Sequence, residues 1–268
     1  MRNRKNRIAG RWAVVTGAGS GIGRAIADRL AALGCNVVAA GRTETDVKGV
    51  AEELAARYGV EAIPYGGDLR RPEAAGSLHA FCLSRGIETE ILVNNAGTFL
   101  FNDLLVTPDE KVDGIIALHV ITFTRLCRLF GNDMAARGHG YILNTASLSA
   151  WLHFPGIALY SATKAYVHNI SVCLSYELAG HGVTVTTVSP AGVATDLYGL
   201  TPRFQRLGCR LGVLLTAEKT ARKAVRAMLR GRKHTVPGWY NRLLVPLLYA
   251  IPGRAVLFLR RKTLRFQK

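Results

Sequence analysis

A tyrosine, a lysine and a serine in the middle of the chain have the types and the spacing that proton transfer requires. Tyr160 and Lys164 are four residues apart, and Ser147 lies thirteen residues upstream of the tyrosine. On a helix, residues four apart share one face, so the ammonium can stand beside the phenol. A neighbouring positive charge favours the phenolate and lowers the tyrosine pKa from about 10 towards neutrality. We therefore predict that Tyr160 is a general acid and base. The alternative is that the pair is exposed on the helix surface and has no catalytic role.

A glycine-rich turn near the N-terminus stands between a predicted strand and a predicted helix. The strand is Trp12–Thr16, and the turn is Gly17-Ala-Gly-Ser-Gly21-Ile-Gly23. Apolar residues then follow at helical spacing up to Gly34, which can end the helix. Glycines let the backbone approach a pyrophosphate, and a helix N-terminus offers free N–H groups to it. The alternative is a glycine-rich loop without a ligand, but the strand–turn–helix context favours a dinucleotide site.

Further motifs follow in order, and together they resemble the short-chain dehydrogenase/reductase family. The motifs are Thr16-Gly-x-x-x-Gly-x-Gly23, Asn94-Asn95-Ala96-Gly97 after the predicted strand Ile91–Val93, Ser147 after the predicted strand Tyr141–Thr145, Tyr160 with Lys164, and Ser189-Pro190-Ala191-Gly192-Val193-Ala194-Thr195. The resemblance extends from Trp12 to about Leu200, and it is strongest towards NADP-preferring reductases of hydroxysteroids and lipids. It implies an α/β fold of the Rossmann type, with a doubly wound parallel sheet of about seven strands and helices on both faces. It also implies a nicotinamide cofactor.

The order of apolar segments favours the same architecture independently. Strand candidates alternate with helical patterns, which is typical of a parallel sheet covered on both faces. The predicted strands are Trp12–Thr16, Asn36–Ala40, Val60–Pro64, Glu90–Val93, Tyr141–Thr145, Val183–Ser189 and His234–Pro237. The predicted helices after the glycine-rich turn include Glu44–Tyr58, Pro72–Arg85, Pro108–Ala136, Gly156–Ala179 and Ala217–Leu229. Because 49% of the 268 residues are hydrophobic, we expect one domain, with a cofactor-binding and catalytic core at 12–200 and an extension at 201–268.

The residues after the second predicted strand bear on the choice of cofactor. The chain has Gly41 there, where an acidic residue would bond the ribose 2′-hydroxyl and repel a 2′-phosphate. The guanidinium of Arg42 suits a phosphate, and Thr43 can add a hydroxyl contact. We therefore predict NADP(H) over NAD(H); a solvated surface arginine is the alternative. Asp68 matches the family's adenine-contacting acid, or is an ordinary turn aspartate.

The resemblance implies a set of site residues. The implied catalytic residues are Ser147, Tyr160, Lys164 and His119. The implied cofactor-binding residues are Thr16, Gly17, Ser20, Gly21, Ile22, Gly23, Arg42, Thr43, Asp68, Leu69, Asn95, Ala96, Gly97, Tyr160, Lys164, Pro190, Gly192, Val193 and Thr195. In the implied reaction, a hydride passes from NADPH to a carbonyl carbon, or back from the alcohol. Ser147 holds the substrate oxygen, Tyr160 exchanges a proton with it, and Lys164 also holds the nicotinamide ribose.

Three positions depart from the family pattern. His119 stands where relatives place an asparagine that supports a proton relay. A histidine can bond a carbonyl, bind a relay water and titrate near pH 6–7, or it is a packed helix residue. Ala191 replaces a glycine and narrows the backbone choices beside the nicotinamide. Ser20 stands where some NADP enzymes carry a basic residue, which leaves Arg42 with most of the 2′-phosphate contact.

Bulky apolar residues predict the substrate class. In the family, the segments Trp151–Pro155 and Leu197–Leu200 line the substrate pocket. Their residues here favour a large apolar alcohol or ketone, such as a sterol or an acyl-chain lipid, over a free sugar. The alternative is that Trp151, Phe154 and Leu197 belong to the core or to an oligomer interface. We expect a homodimer or homotetramer, as is common in the family.

The positive charge of the chain is concentrated at its C-terminal end. The formal net charge is +17, and residues 203–268 hold 17 lysines and arginines against one acid, Glu218. The apolar segments Leu243–Ile251 and Ala255–Leu259 have basic flanks, which suits the headgroup boundary of an anionic bilayer. Both segments are too short to span a membrane. We predict a peripheral membrane contact; the alternative is a pocket cover or dimer extension with a solvated basic face.

Two other sequence features predict the cellular compartment. Residues 1–7 carry charge with no apolar run behind them, so we predict no secretory signal. The five cysteines are dispersed, which indicates free thiols and no metal site. We therefore expect a cytoplasmic protein, in contact with the inner face of a membrane.

Two other functional classes stay open at this point. A non-catalytic NADPH-binding regulator would not need the intact Ser147, Tyr160 and Lys164. A nucleic-acid-binding protein is suggested by the charge alone, but the basic residues are interleaved with aliphatic ones and no nucleic-acid motif is present. We expect no nucleic-acid partner.

Overall fold

The strands of the protein form a parallel sheet whose order reverses near its middle. The computed structural model describes residues 8–199, 201–238, 241 and 251–263. The strands are β1 (Trp12–Thr16), β2 (Asn36–Gly41), β3 (Ala62–Gly66), β4 (Thr89–Asn94), β5 (Gly140–Thr145), β6 (Val183–Val188), β7 (Val193–Ala194), β8 (Leu215–Thr216) and β9 (His234–Thr235). In this part of the chain, the main sheet has seven strands in the order β3-β2-β1-β4-β5-β6-β9, while β7 and β8 pair separately.

Helices alternate with these strands. The helices are α1 (Gly21–Ala31), α2 (Glu44–Tyr58), α3 (Ala74–Ser84), α4 (Asp109–Ile116), α5 (Phe123–Arg137), α6 (Ala158–Glu177), α7 (Pro202–Arg210), α8 (Ala217–Leu229) and α9 (Gly253–Thr263). A π-helical turn, Ala117–Thr122, joins α4 to α5. Short 3₁₀ turns occur at Leu104–Val106, Leu148–Trp151, Ala179–His181 and Asp196–Tyr198.

The two faces of the sheet are covered by different helices, because successive strand residues point to opposite sides. Val15 of β1 belongs to a buried cluster with residues of α1, α2 and α8. Its neighbour Val14 belongs to a second cluster with residues of α3, α5 and α6. Burial on both faces explains why the central strands are continuous apolar runs rather than alternating ones.

The order of the strands creates a crevice between β1 and β4. Val15 pairs with Ala39 of β2 on one side and with Val93 of β4 on the other. The connections from β1 and from β4 therefore leave in opposite directions, and a gap opens at the carboxyl ends of these two strands. In doubly wound sheets this switch point is where ligands bind.

The predicted architecture, a doubly wound parallel sheet of about seven strands, is confirmed, and the predicted elements agree to within a few residues at their ends. The single helix predicted at Pro108–Ala136 is divided by the π-helical turn. The predictions also missed α7, α9 and the short pair β7 and β8. The predicted apolar segment Leu243–Ile251 lies outside the described residues except for Ile251.

One helical stretch, Asp109–Arg137, is long and apolar enough to cross a membrane by length and composition alone. Within it, Leu126, Phe130 and Met134 are buried against the sheet. Its packing over β4 and β5 therefore accounts for its apolar residues.

Candidate active site

Thr16, the last residue of β1, joins the two strands that border the crevice. Its hydroxyl donates to the carbonyl of Val93 (3.1 Å) and accepts from the backbone N–H groups of Asn95 (2.9 Å) and Ala96 (3.0 Å). The Asn95 amide donates back to the Thr16 carbonyl (3.2 Å). These bonds hold the segment after β4 against the start of the glycine-rich turn.

The glycine-rich turn allows a close approach that side chains would prevent. Gly17 and Gly21 have positive φ values of +67° and +55°, which favour glycine. A Cβ atom on Gly23 would collide with the carbonyl oxygen of Gly17, so α1 packs directly on the turn. The backbone at the start of α1 therefore lies at the crevice with its free N–H groups, where a phosphate binds well.

Two adjoining cavities run along the carboxyl ends of the strands. One has a volume of about 720 Å³ and reaches past β2 and β3. The other has about 350 Å³ and reaches β5 and the segment after β6. They share the lining residues Gly17, Ser20, Ala96, Gly97, Thr98 and Leu197, and so form one cleft. A cleft of this shape suits an extended dinucleotide laid across the switch point.

Most of the predicted cofactor residues line this cleft. Those in the larger cavity are Gly17, Ser20, Arg42, Thr43, Asp68, Leu69, Ala96 and Gly97. Those in the smaller cavity include Gly21, Ile22, Asn95, Tyr160, Lys164, Pro190, Val193 and Thr195. Thr16 and Gly23 lie behind the wall and shape it. Gly192 packs against Leu214, and its carbonyl accepts from the N–H of Leu215 (3.0 Å).

Ser147, Tyr160 and Lys164 are buried and all line the smaller cavity. Tyr160 and Lys164 lie in the first turns of α6, and Ser147 precedes a 3₁₀ turn after β5. The Ser147 oxygen accepts from the N–H of Ser149 (3.1 Å), which leaves its hydroxyl proton to donate elsewhere. The predicted trio is therefore assembled around one space.

The ammonium of Lys164 is held inside the protein. Its Nζ donates to the carbonyl of Thr145 (3.0 Å) and lies 5.8 Å from the centre of the Tyr160 ring. Burial disfavours the charged form and lowers the pKa of Lys164 from 10.5 to about 8. At neutral pH the site thus holds a buried positive charge beside the tyrosine.

His119 lies in the π-helical turn with both ring nitrogens engaged by the protein. Its Nε2 accepts from the N–H of Thr98 (3.0 Å), and its Nδ1 lies 3.0 Å from the hydroxyl of Thr163. Because that hydroxyl donates to the carbonyl of Tyr160 (2.9 Å), Nδ1 carries the proton and donates to Thr163. The imidazole therefore connects the segment after β4 to the N-terminal part of α6.

This geometry corrects the expectation that His119 titrates near pH 6–7. Burial, aided by the charge of Lys164, lowers the pKa of His119 well below its ordinary value. The ring is neutral at physiological pH. The engagement of both nitrogens fits the alternative of a packed helix residue, and the relay role stays a prediction. A Cβ atom on Gly97 would lie 2.9 Å from Nε2, so the ring requires glycine there.

An arginine that the sequence predictions missed lies at the far end of the cleft. Arg70 binds the carboxylate of Asp68 through Nε (3.0 Å) and Nη2 (2.6 Å), and this pairing lowers the pKa of Asp68 to about 2. Arg70 and the exposed Arg42 line the same cavity. Asp68 thus carries a bound arginine and also accepts from the backbone N–H of Arg70 (3.0 Å), which fits the turn-aspartate alternative. Its adenine contact stays a prediction. The basic residue two positions after Asp68 was the available signal.

Apolar side chains form the wall beside Tyr160. The ring of Phe99 meets that of Tyr160 edge to face, with 4.9 Å between centres. Phe99, Leu100, Ile115 and Leu197 line the larger cavity, and Leu197 also lines the smaller one. Sequence analysis identified Leu197 but missed the other three, which lie in a loop and at a helix end.

The predicted substrate-facing residues after Ser147 divide into two groups. Phe154 packs in the apolar cluster around Tyr160, near the cleft. Trp151 instead contacts the rings of His168 (4.7 Å) and His234 (5.5 Å) and does not line either cavity. This packing fits the alternative that Trp151 is a core residue, and it accounts for the size of the side chain. Leu200 lies outside the described residues.

The fold and this cleft define a dinucleotide-binding α/β protein of the Rossmann type. The family model for short chain dehydrogenases matches residues 11–204. The chain therefore belongs to the short-chain dehydrogenase family, as its sequence motifs predicted.

Individual relatives agree with this assignment. The chain is 36% identical over 188 residues to the probable oxidoreductase EphD of Mycobacterium tuberculosis, covering 70% of this chain and 32% of that protein. It is 33% identical over 192 residues to the very-long-chain 3-oxoacyl-CoA reductase of Rattus norvegicus, covering 70% of this chain and 61% of that protein. The chain thus spans from about a third to three fifths of the length of these relatives.

A solved structure with a similar fold contains a cofactor. The short-chain dehydrogenase from Sphingobium yanoikuyae in complex with NADPH matches with a TM-score of 0.79 and 26% identity. The match covers 92% of this chain and 95% of that chain, so the similarity extends through most of the α/β fold.

The buried charge of Lys164 lowers stability, and its replacement tests this. We expect Lys164→Met to raise the free energy of unfolding of the cofactor-free protein at pH 7 by about 1–3 kcal/mol. The pKa change from 10.5 to about 8 corresponds to roughly 3 kcal/mol, less the lost bond to Thr145. Urea denaturation measures the difference, and the exposed Lys223→Met is the control, with an expected change within about 0.5 kcal/mol.

The pH dependence of this difference has a defined sign. Below pH 8 the ammonium is charged in both states, so the folded wild type carries the full desolvation cost. Between about pH 8 and 10.5 the unfolded chain keeps a proton that the folded chain has released, so wild-type stability rises with pH. The advantage of Lys164→Met should therefore vanish by pH 10.5. If Lys164→Met is less stable than wild type, and the difference in free energy of unfolding does not change with pH, then Lys164 is not a buried charge that lowers stability.

The neutral state of His119 gives a second expectation. We expect the affinity for NADPH to show no ionisation between pH 6 and 7 that depends on His119, because its ring does not take up a proton there. The measurement is a fluorescence titration of NADPH across this range in wild type and His119→Asn. A step in the wild-type profile that the variant lacks would show that the ring titrates after all.

Proposed function

We propose that the protein is an NADP(H)-dependent oxidoreductase that transfers a hydride between the nicotinamide and a carbonyl or secondary alcohol. The observation that carries this proposal is that Ser147, Tyr160 and Lys164 are buried and line one cavity of a dinucleotide-sized cleft. Membership of the short-chain dehydrogenase family and the NADPH complex of a similar structure support it.

The residues present fit a nicotinamide dinucleotide. The glycine-rich turn leaves a cradle that a Cβ atom on Gly23 would fill, beside the N-terminus of α1. Pro190, Val193 and Thr195 would hold the nicotinamide end, next to Lys164. NADP(H), when bound, supplies or accepts the hydride.

Positive charge at the opposite end supports the phosphorylated cofactor. Arg42 and Thr43 line the cavity just after β2, where a ribose 2′-phosphate would lie. Arg70 adds a second guanidinium to the same cavity, but its charge is paired with Asp68, and Asp46 and Glu110 also line that cavity, so Arg42 is the main candidate for the phosphate contact. Ser20 is a small neighbour that leaves room for the phosphate.

The chemistry at the other end follows from the positions of three side chains. The Ser147 hydroxyl would donate a hydrogen bond to the substrate oxygen and hold it near Tyr160. The phenol of Tyr160 would give its proton to that oxygen in reduction and take it back in oxidation. The ammonium of Lys164 would stabilise negative charge on the tyrosine oxygen, while its bond to Thr145 keeps it in place.

The wall beside Tyr160 supports an apolar substrate. Phe99, Leu100, Ile115 and Leu197 offer aromatic and aliphatic surface. Such surface favours a steroid-like or acyl-chain alcohol or ketone over a sugar. The relative named as a very-long-chain 3-oxoacyl-CoA reductase supports the same class.

We also propose a cytoplasmic location on the inner face of a membrane. The thiols of Cys35, Cys82 and Cys127 are free and buried, which suits a reducing compartment. The predicted homodimer or homotetramer remains a prediction that sedimentation velocity would test.

Replacement of Tyr160 tests the catalytic proposal. We expect Tyr160→Phe to lower turnover about 10²- to 10⁴-fold, because the variant keeps the ring but loses the transferable proton. NADPH binding should stay within about twofold. The measurement is NADPH absorbance with pools of steroid, acyl-lipid and small ketones, together with a fluorescence titration. Tyr176→Phe, on the exposed part of α6, is the control. Full activity in Tyr160→Phe would refute its role, and tight NADPH binding without turnover on any pool would favour a regulator.

Replacement of Arg42 tests the choice of cofactor. We expect Arg42→Gln to weaken NADPH binding about tenfold to a hundredfold, because a charge-assisted bond to the 2′-phosphate is lost. NADH binding should not change. The exposed Arg128→Gln on α5, outside both cavities, controls for net charge. Equal losses for both cofactors would show that Arg42 does not read the phosphate.

A further inference from the structure

We propose that the protein docks on an anionic lipid bilayer through an exposed apolar rim beside the cleft, so that an apolar substrate can enter from the membrane. The apolar rim is formed by Leu104, Leu105 and Val106 of a 3₁₀ turn and by Leu257, Phe258 and Leu259 of α9. Docking on the bilayer does not depend on catalysis. The entry of substrate from the membrane rests on the oxidoreductase function proposed above.

The 3₁₀ turn exposes three consecutive apolar side chains. Leu105 is 97% exposed, and Leu104 and Val106 are also exposed. Single exposed leucines are common on protein surfaces, but contiguous exposed apolar groups mark contact sites. This turn therefore presents a projecting apolar tip.

A salt bridge brings α9 to the same place. Arg260 of α9 binds the carboxylate of Asp103, the residue before the turn, with 2.6 Å between Nη2 and Oδ2. Leu257 and Leu259 of α9 are exposed as well, and Arg254 and Arg261 are exposed on the same helix. The ion pair thus joins two apolar elements that are more than 150 residues apart in sequence.

The rim lies at the mouth of the cleft by chain continuity. Leu100 lines the larger cavity, and the 3₁₀ turn begins only four residues later at Leu104. On the other side of the cleft, Leu197 lines both cavities, and α7 begins five residues later. The turn of the rim thus begins four residues after the cleft wall, which supports a route for an apolar molecule from the rim to the cleft.

Helix α7 extends the same surface chemistry. Phe204 and Leu207 are exposed on it, and Leu211 is exposed just after it. Arg203 and Arg206 are exposed beside them, and α7 contains no acidic residue. Apolar residues interleaved with arginines form the pattern of a helix that lies in a headgroup boundary.

Charge identifies the occupant of this surface. Helices α7 and α9 contain no acid, and their exposed basic residues are Arg203, Arg206, Arg210, Arg254 and Arg261; Asp109 and Glu110 are exposed three and four residues after the 3₁₀ turn. A second copy docked across a twofold axis would place arginines opposite arginines, which is unfavourable. A nucleic acid would match the charge but would leave the exposed leucines without an apolar partner. An anionic bilayer satisfies both the charge and the apolar side chains.

The test is co-sedimentation of the full chain with vesicles of phosphatidylcholine alone and of phosphatidylcholine mixed with phosphatidylglycerol. We expect binding to the anionic vesicles only, weakened by added salt. Leu105→Glu combined with Leu257→Glu should weaken this binding about tenfold or more. Each change replaces an apolar contact with a negative charge, which the anionic lipid repels. The matched control is Leu83→Glu on α3, because Leu83 and Leu257 are both 58% exposed.

Each remaining outcome counts against the proposal. No binding to anionic vesicles, equal binding to neutral ones, or equal loss in Leu83→Glu would overturn it. Sedimentation velocity covers the second-copy alternative: a double variant that dissociates an oligomer while still binding vesicles would assign the rim to self-association. Salt-sensitive DNA binding that the double variant loses would assign it to nucleic acid. NADPH titration of the same variants should be unchanged, so loss of vesicle binding is distinguishable from failure of the oxidoreductase function.

Discussion

The hydroxyl of Thr16 holds the site together at the point where the sheet order reverses. One oxygen donates to β4 through Val93 and accepts from two N–H groups of the segment after it. A parallel sheet with a switch point has a gap there, and without a polar link the two loops would diverge. The link sets the glycine-rich turn against Ala96 and Gly97. The cleft, the space for a pyrophosphate and the position of His119 all depend on that spacing.

The site combines a stable scaffold with two costly features. Lys164 keeps an ammonium in a buried place, and the cleft keeps an apolar wall that solvent can reach. Both features are unfavourable for folding alone, and the two buried clusters on either side of the sheet offset them. His119 adds order at low electrostatic cost because it is neutral, and its two bonds tie the cofactor segment to the helix that carries Tyr160. Tyr160, a predicted catalytic residue, is thus positioned through its carbonyl by Thr163 and His119.

Sequence reasoning succeeded where local pattern determines structure. The strand runs, the glycine-rich turn and the Tyr160–Lys164 spacing each depend on neighbours in the chain, and the fold they predict is the observed one. It failed where distant residues decide. The packing of Trp151 between two histidines and the two engaged nitrogens of His119 both require tertiary contacts. Titration of an isolated histidine suggested the wrong charge state because burial was not visible in the sequence.

The π-helical turn at Ala117–Thr122 has a consequence for how the chain tolerates length changes. The helix after it is oriented by the sheet, through residues such as Phe130, while the helix before it directs Ile115 at the cleft. A wide turn absorbs one extra residue and lets the two helices differ in rotational phase. Deleting one residue there would rotate one helix against the other by about 100°, since each helical residue turns by that angle. Because packing in the core would hold α5 in place, α4 would be the helix that rotates. Ile115 would then leave the cleft wall, so the pocket would change shape while the protein stayed folded.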